Sequence, residues 1–573
     1  MTLMSRNFFF LLVVGAIQAA ATPYNATVLL TQLNSTLNGR VQLSKPLAAP
    51  CFSEPSGAPC LAVKKQLKAP LGFYHSNKYQ GFQYMQGEAC LADPNDQCLL
   101  EPGTLDTPGN ASCNQGLVSS LYVEINGATD VPKIFEYART SGTTLSIKNS
   151  GHDYVMRSSR RGSLAIWTRG LQGKRFHASF TPAGCSNSHR TTAITFGAGV
   201  NTDEAVTFAH DNGFVFDGGS ASTIGVSGGW LLNGGHSVLS NNIGLAVDRV
   251  VQLTIATADG NIRIANQCQN SELFWALRGG GSGSFGVVLS STFRVDPETR
   301  ITAAILGFEA NPDVQKRFVE ILAENMPSWA LEGWGGPVGP NLAILVNPRS
   351  DVDVSTADKT LAPLVAHTLA QHGKAAITSY NSYYDFYKAV INGTHAAIVP
   401  VSVAVMVTSR VIPETVFVND TARASMVDAI MGLQKSGLAV SMLSTMPFLY
   451  GRRQTQRMTS VHPTWYRSVW SVVAYAMWNA DSSFEERQKT VTLLQKETQS
   501  LKQLAPEGCT YANEGYAWLA GWSQEFWGEN YDALLELKKR YDPYRLLSCW
   551  HCVGWDESHP NYECISGLAP RVN

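Results

Sequence analysis

Four glycine-rich turns that contain hydroxyl and imidazole side chains are the segments of this sequence best suited to chemistry. Glycine lets backbone amides approach phosphate oxygens closely, because no side chain stands between them. One such turn is usually no more than a turn, whereas four together predict a site for a large phosphate-bearing cofactor. The turns are Asn149–Asp153, Gly218–Gly229, Asn233–Ser237 and Gly279–Gly286.

The last of these turns contains the G-x-G-x-x-G spacing at Gly281, Gly283 and Gly286. In a nicotinamide-binding fold this spacing follows a strand and opens a helix. Here it follows the helix-like residues 272–277 and leads into the strand-like residues 287–293, which is the wrong context. The sequence also lacks a Walker phosphate loop, an H-E-x-x-H zinc motif and a G-x-S-x-G elbow. These observations argue against nicotinamide binding, nucleotide hydrolysis, zinc proteolysis and α/β-hydrolase chemistry.

Mixed helices and strands must position these turns between residues 118 and 300. The spacing of apolar residues predicts a helix over 130–138 and a second helix that opens at Asn201. An alternating pattern predicts a strand over 143–148, directly before the first turn. Residues 305–500 contain further strand-like runs and helices but none of the four turns, which predicts a second domain of α+β type.

Composition and the first residues indicate a secreted protein with a large core. Of the 573 residues 44% are hydrophobic, and the net charge of −1 argues against nucleic acid as a bulk partner. Residues 1–21 combine Arg6, an apolar stretch and the small residues Ala19–Ala21, which is typical of a secretory signal peptide. The apolar stretch is too short for a bilayer span of about 20 residues, so we expect an extracellular protein without a membrane anchor.

Cysteine use and glycosylation motifs fit that compartment. Most of the eleven cysteines should pair there, and their odd number leaves at least one unpaired. Cys51 with Cys60 and Cys90 with Cys98 are near enough to close small loops. Cys549 and Cys552 flank a histidine at a zinc-like spacing, but no second Cys-x-x-Cys accompanies them, so disulfides are favoured and no metal site is expected. N-glycosylation is expected at the five sequons Asn25, Asn34, Asn110, Asn392 and Asn419.

Several segments, taken in order, resemble the berberine-bridge-enzyme-like FAD-linked oxidases of the vanillyl-alcohol-oxidase superfamily, and secreted fungal members above all. Residues 145–154, 157–158 and 162–167 look like the flavin-attachment stretch of that family. The next segments similar to family motifs are 223–229, 244–250, 272–281, 511–514 and 527–543.

The resemblance implies an α+β fold with a two-part FAD-binding domain of the vanillyl-alcohol-oxidase (PCMH) type and an α+β substrate domain built on an antiparallel sheet. The expected organisation is a signal peptide at 1–21, an irregular cysteine-containing segment at 22–117, the FAD-binding domain at 118–304, the substrate domain at 305–504 and a C-terminal segment at 505–573 that returns to the FAD-binding domain.

The resemblance also implies FAD bound covalently, through a ring nitrogen of His152. Relatives with a second covalent bond carry a cysteine where this chain has Ala221, so a single bond is expected. The other cofactor-binding residues that the resemblance implies are Asn149, Ser150, Gly151, Asp153, Ser158, Ser222, Thr223, Gly225, Gly228, Gly229, His236, Asp248, Val250 and Asn513.

The implied activity is hydride transfer from a substrate C–H to the flavin, with reoxidation by O2 to hydrogen peroxide. Ile224 stands where relatives carry valine or leucine according to their use of oxygen, so oxidase and dehydrogenase both stay open. For the base that takes the substrate proton, Tyr511 is favoured, followed by Glu514, with His462 and Tyr450 as weaker candidates.

The expected partners are a small-molecule substrate and O2, and a monomer is favoured. Sugars, alcohols, phenols and alkaloids all stay open as substrates. The alternative hypothesis is a secreted flavin-binding or sugar-binding protein with a degenerate active site, and the residues of the substrate domain do not decide between the two.

Overall fold

The fold was analysed in a computed structural model that describes residues 23–68, 77–109, 111–392, 402–454, 459–556 and 562–570. The proposed signal peptide and Asn110 lie outside the described residues. Among the helices of the described residues, none combines the length and the apolar character that crossing a membrane requires.

The strands are β1 Val41–Leu43, β2 Leu121–Glu124, β3 Leu145–Lys148, β4 Leu164–Trp167, β5 Lys174–Phe180, β6 Thr191–Gly197, β7 Phe214–Val215, β8 Val250–Thr257, β9 Ile262–Ala265, β10 Gly286–Arg294, β11 Asp296–Pro297, β12 Ile301–Gly307, β13 Gly336–Val338, β14 Leu342–Asn347, β15 Lys374–Tyr380, β16 Val403–Pro413, β17 Ala439–Ser444 and β18 Ser468–Asn479.

The α-helices span Pro23–Thr36, Ala49–Ser53, Ala58–Leu67, Asp130–Ser141, Thr202–Asp211, Gly229–Leu232, Ser240–Ile243, Ala246–Arg249, Ser271–Leu277, Pro312–Leu331, Val354–Thr360, Ala362–Ala370, Tyr383–Phe386, Glu414–Val418, Asp420–Lys435, Phe448–Arg453, Phe484–Leu504, Trp522–Trp527, Tyr531–Tyr541 and Glu563–Ser566. Short 3₁₀ turns occupy Met85–Gly87, Asn187–His189, Pro463–Arg467 and Gly528–Asn530, and Tyr387–Ile391 forms a π turn.

A small mixed sheet carries the first glycine turn. Its strand order is β1-β2-β4-β3, in which β4 runs parallel to both β2 and β3 and β1 is antiparallel to β2. All four residues of β4 are buried, as expected for a central strand covered on both faces. The turn Asn149–Asp153 follows the carboxyl end of β3, which is the end where α/β sheets place their ligands.

A five-stranded antiparallel sheet carries the fourth glycine turn, which leads into β10; the second turn follows β7, which pairs with β11 in a separate two-stranded sheet. The order of the five-stranded sheet is β5-β6-β10-β8-β9. The helix Thr202–Asp211 follows β6 and begins at Asn201, whose side chain accepts from the backbone N–H of Glu204 while the Glu204 carboxylate accepts from the N–H of Asn201. This capping box confirms the helix start that the sequence predicts.

A seven-stranded sheet occupies the second half of the chain, with the order β15-β12-β14-β13-β17-β18-β16. Every neighbouring pair in it is antiparallel. β16 is buried along its whole length and pairs with β18. The helix Phe484–Leu504 contacts both strands, and the helix Pro312–Leu331 contacts β18. The α+β class with an antiparallel sheet in the second half is therefore confirmed.

The N-terminal segment corrects the sequence prediction, because residues 22–117 are not simply irregular. The helix Pro23–Thr36 lies against the helix Asp130–Ser141, and Leu33 of the helix and Leu37 just after it are buried in the same core cluster. β1 in turn adds an antiparallel edge to β2. These elements depend on partners later in the chain, so local sequence pattern alone does not reveal them.

The disulfides are partly those expected. Cys51 pairs with Cys60 as predicted, but Cys90 and Cys98 do not pair with each other. Cys90 instead meets Cys564, because the C-terminal residues return to it and the N–H of Ala92 donates to the carbonyl of Cys564. The remaining disulfides are Cys98–Cys113, Cys185–Cys268 and Cys549–Cys552, and Cys509 is a buried free thiol.

Candidate active site

A cavity of about 860 Å³ brings the glycine turns, the seven-stranded sheet and the C-terminal segment together. Its volume lies in the range of about 300–1,000 Å³ that is usual for ligand and cofactor sites. The residues after β3 and the turn 219–229 line one side, residues of β13, β14, β17 and β18 line another, and Tyr511 and Glu514 enter from the C-terminal segment.

The side chain of Asn149, in the first turn, packs against the backbone of the second turn. Its side-chain Nδ2 donates to Thr168 Oγ1 at 2.8 Å and to the carbonyl of Ala198 at 2.5 Å. A Cβ atom at Gly225 would lie 1.5 Å from Asn149 Oδ1, and one at Gly228 would lie 2.7 Å from Asn149 Cγ. Glycine is therefore required at both positions so that the second turn can close against Asn149.

Several backbone amides along the cavity have no acceptor within the described chain. They are the N–H groups of Ser150 and Gly151 in the first turn and of Ser220, Ala221 and Ser222 in the second. Arg157 lines the same cavity, and its buried Nη2 also lacks a partner among the described residues. Backbone amides that line a cavity without an acceptor are suited to bind an anion, so this donor set fits a group such as a pyrophosphate.

His152 and Thr223 meet across the two turns. The distance between His152 Nε2 and Thr223 Oγ1 is 2.6 Å, and both side chains line the cavity. Both carboxylate oxygens of Asp153, the next residue, are already hydrogen-bonded to the backbone. They accept from the backbone N–H groups of Val155, Arg157 and Ser158, and so fix the loop that follows His152.

Glu514 presents a free carboxylate oxygen to the site. Its Oε1 lies 3.5 Å from His236 Nε2, while its buried Oε2 has no partner among the described residues. His236 is itself oriented by Thr445, with 2.9 Å between Nδ1 and Oγ1. Glu514 and Asp153 are the carboxylates among the described residues that line the cavity, and only Glu514 keeps an unbonded oxygen.

Tyr511 is less suited than Glu514 to take a proton from the substrate. Its hydroxyl accepts from Asn513 Nδ2 at 2.7 Å, and the same Nδ2 donates to the carbonyl of Gly229 at 3.0 Å. Burial, together with the nearby charge of Glu514, raises the pKa of Tyr511 far above its usual value of 10. A tyrosine in that state is a poor acceptor of a proton near neutrality.

Most of the residues that the sequence predicts for the site lie together on this cavity. Four do not. Asp248 accepts from the hydroxyl of Tyr466 and from the N–H of Leu245, and Val250 is buried at the start of β8. The predicted residues on the lining are Asn149, Ser150, Gly151, His152, Asp153, Ser158, Ser222, Thr223, Gly225, Gly228, Gly229, His236, Tyr511, Asn513 and Glu514.

His462 is the third residue outside the lining, which corrects its place among the candidate bases. Its Nδ1 accepts from the N–H of Thr464, its ring lies against Gly528, and burial lowers its pKa to about 4. Tyr450 also lies away from the cavity, near Arg294.

Three tyrosines and Arg157 also line the cavity and are not among the residues that the sequence predicts for the site. Tyr84 and Tyr154 stack with ring centroids 4.4 Å apart and share a 2.7 Å hydrogen bond, and Tyr475 of β18 lines the same cavity. Tyr154 and Arg157 stand inside the flavin-attachment stretch and could have been selected from it. Tyr84 and Tyr475 carry no motif, so only the fold brings them in.

Comparison with known proteins agrees with this geometry. Residues 119–266 match the family described as FAD binding domain, and residues 510–549 match the family described as berberine and berberine like. The FAD-linked oxidoreductase cheF of Chaetomium globosum is 39% identical over 548 residues, which cover 94% of this chain and 88% of the relative. The chain belongs to the berberine-bridge-enzyme-like FAD-linked oxidoreductases of the vanillyl-alcohol-oxidase superfamily.

Further relatives of this FAD-linked oxidoreductase extend over nearly the whole chain. OXR2 of Pyricularia oryzae, also an FAD-linked oxidoreductase, is 37% identical over 562 residues, or 94% of this chain and 95% of the relative. The crystal structure of the VAO-type flavoprotein MtVAO615 from Myceliophthora thermophila C1 superposes with a TM-score of 0.80 at 26% identity, covering 94% of this chain and 96% of that one. The protein is thus an FAD-dependent oxidoreductase with the fold of that superfamily.

Sugar oxidases share the fold at greater distance. The chitooligosaccharide oxidase structure has a TM-score of 0.61 at 18% identity, with 77% of this chain and 92% of that chain covered. At that identity the likeness shows the fold alone.

Proposed function

We propose that this protein is a secreted oxidase that carries FAD covalently on His152 and oxidises a small-molecule substrate. Bound FAD would supply a hydride acceptor that O2 reoxidises, with hydrogen peroxide as the product. The observation that carries the proposal is one arrangement: His152, the unpaired loop amides and the unpartnered carboxylate of Glu514 all line the same cavity.

The chain's own groups would hold the cofactor in two ways. The amides of Ser150, Gly151 and 220–222, with Arg157, are donors for the pyrophosphate and ribityl oxygens. His152 reaches the cavity from a turn that Asn149 fixes on one side and Asp153 on the other. A covalent bond from a side chain held in this way would prevent cofactor loss outside the cell.

A single bond is supported by what stands near His152. Ala221 lines the cavity where relatives with two bonds carry cysteine, and a methyl group cannot attack the flavin. Cys185 and Cys268 are joined to each other, and Cys509 does not belong to the lining.

Glu514 is the group we propose for taking the substrate proton. The unpartnered Oε2 can accept a hydroxyl proton, and His236 holds the other oxygen in place. Tyr511 would then hold Asn513 and border the substrate rather than act as the base, because its pKa is raised by burial and by Glu514 itself.

Secretion and glycosylation rest on the N-terminal sequence and the sequons. Asn419 is exposed, and its Oδ1 caps the helix Asp420–Lys435 while its Nδ2 is left for a glycan. Asn34 is half-buried, and its Oδ1 accepts from the N–H of Val41. Asn25 lies in the helix Pro23–Thr36. At Asn392 the side-chain Oδ1 is buried without a partner among the described residues. A mobility shift on glycosidase treatment of the culture-medium protein tests both properties.

The deciding experiment compares the wild type with His152→Ala. Acid-precipitated wild-type protein should be yellow, and the precipitate of the variant should be colourless. After anaerobic photoreduction, admission of O2 should restore the wild-type flavin spectrum and release hydrogen peroxide. A colourless wild-type precipitate from yellow native protein would contradict the covalent bond, and a reduced flavin that persists in air would contradict the oxidase.

A further inference from the structure

The walls of the cavity differ in charge according to the part of the chain that supplies them. The charged and imidazole side chains of the lining come from the N-terminal half and the C-terminal segment: Lys68, His152, Asp153, Arg157, Arg160, His236 and Glu514. No lining residue described between 300 and 500 carries a charge. The wall that the seven-stranded sheet supplies is therefore neutral, and we call it the sheet wall.

The sheet wall is also mostly apolar. Its aliphatic and sulfur-containing side chains are Pro337, Val338, Pro340, Leu342, Ile344, Ile391, Val405, Val440, Leu443 and Met477. Its hydrogen-bonding side chains are few: Asn341, whose Nδ2 donates to the carbonyl of Phe308, and Tyr475 and Ser441, which bond to each other.

The apolar wall continues to the mouth of the cavity. Leu342 is 46% exposed and Met477 is 49% exposed, although most large apolar side chains of the protein are buried. Both belong to the cavity lining, on β14 and β18. Exposed apolar side chains that continue an apolar wall mark a binding surface.

We propose that the substrate is an uncharged alcohol or phenol with an extended apolar body. This body rests on the sheet wall and extends out of the cavity past Leu342 and Met477. This inference depends on the proposed oxidation at the same cavity. An oligosaccharide would lose water from several hydroxyls there and find few hydrogen-bonding side chains to replace it, which weakens its binding. A carboxylate or phosphate on the substrate would have no cation on this wall.

A chain-length series tests the substrate class on the purified holoenzyme. The probes are 4-alkoxybenzyl alcohols from methoxy to octyloxy, used below their solubility limits, with cellobiose as the polar comparison. Binding is read from the perturbation of the flavin absorption spectrum under anaerobic conditions. We expect affinity to rise by about twofold to fourfold for each added methylene, which is the gain from burying apolar surface. Cellobiose should produce no saturable change.

Variants at the mouth locate the effect. Met477→Glu and Leu342→Glu should remove most of the gain in affinity with chain length. Leu331→Glu is the matched control, because Leu331 is 44% exposed but lies outside the cavity lining. It should retain the full dependence on chain length.

The outcomes separate this inference from the proposed oxidation. Chain-length dependence without bleaching of the flavin by any probe would support the substrate class and count against these alcohols as reductants. Bleaching by cellobiose, or affinity that does not change with chain length, would overturn the apolar substrate while leaving the oxidase in place. Loss of the dependence in Leu331→Glu as well would overturn the location at the mouth.

Discussion

Glu514 Oε1 lies 3.5 Å from His236 Nε2, and the other carboxylate oxygen of Glu514 is buried without a partner among the described residues. His236 comes from the glycine-rich half of the chain and Glu514 from the C-terminal segment, so the pair forms only when that segment returns to the cavity. One oxygen is positioned and one is free, which is the geometry that a general base requires.

Replacing Glu514 by Gln should therefore impair the chemistry and spare the cofactor. Glutamine keeps the size of the side chain and can still contact His236, but it cannot take a proton. We expect the anaerobic rate of flavin bleaching by a reducing substrate to fall by about 10²–10⁴-fold, the usual contribution of a general base. The flavin content, measured from absorption at equal protein concentration, should equal that of the wild type.

Tyr511→Phe is the comparison that separates the two candidate bases. The phenylalanine keeps the ring that borders the cavity and removes only the hydroxyl that accepts from Asn513. We expect about a fivefold loss of the bleaching rate, which corresponds to one neutral hydrogen bond. A larger loss in Tyr511→Phe than in Glu514→Gln would reverse the assignment.

Peptide mapping should find one flavin-bearing fragment. Proteolysis of the acid-denatured protein is expected to leave FAD on the peptide that contains His152 and on no cysteine peptide. The reason is that Ala221 offers no sulfur and ten of the eleven cysteines are paired in disulfides. A cysteinyl-flavin peptide, through Cys185 or Cys268 for example, would show that the second turn has been aligned wrongly.

A single methyl group at Gly225 should empty the site of flavin. The Cβ of Gly225→Ala would meet Asn149 Oδ1 at 1.5 Å, so Asn149 would have to leave Thr168 and Ala198 and the two turns would part. Gly173→Ala is the matched control, because a Cβ there meets nothing within 4 Å. We expect flavin-poor protein from Gly225→Ala and full occupancy from Gly173→Ala, measured by the ratio of flavin to protein absorbance. Full flavin occupancy in both variants would contradict the proposed role of the turn.

The sequence was most informative where local pattern and motif agree. Asn201 and Glu204 predict their helix because a capping box is a local interaction. The turn Asn149–Asp153 was found because it follows a strand, and Tyr511 to Glu514 because their motif recurs in the family. Each of these needs only a few neighbouring residues to be recognised.

Long-range contacts account for the rest. Cys90 pairs with Cys564, which is 474 residues away, so proximity in sequence selected the wrong partner. Tyr475 enters the cavity only through the register of β18, and no pattern marks it. His462 lies in the correct half of the chain for a catalytic base, yet its ring points at Gly528 rather than into the cavity. Residue type was not enough in any of these cases.

Asp248 shows how a motif residue can serve the fold instead of the cofactor. Its two oxygens accept from the N–H of Leu245 at 2.8 Å and from the hydroxyl of Tyr466 at 2.8 Å, outside the cavity lining. Burial raises its pKa from 3.8 to about 6, although these hydrogen bonds and the charges of Arg278 and Arg294 oppose that shift.

This raised pKa gives a prediction with a definite sign. Between pH 4 and 6 the folded protein holds a proton on Asp248 that the unfolded chain has released, so the contribution of Asp248 to the free energy of unfolding falls as the pH rises through that window.

Asp248→Asn stays neutral at every pH and can still accept from Leu245 and pair with Tyr466. Chemical denaturation at pH 4 and at pH 7 should therefore show the variant gaining about 2 kcal/mol on the wild type, because a shift of about two pH units at 1.36 kcal/mol each is about 3 kcal/mol in full and part of it lies below pH 4. The flavin content should stay unchanged, because Asp248 does not line the cavity. A stability difference that is the same at both pH values would contradict the buried, protonated carboxyl, and loss of flavin would restore Asp248 to the cofactor site.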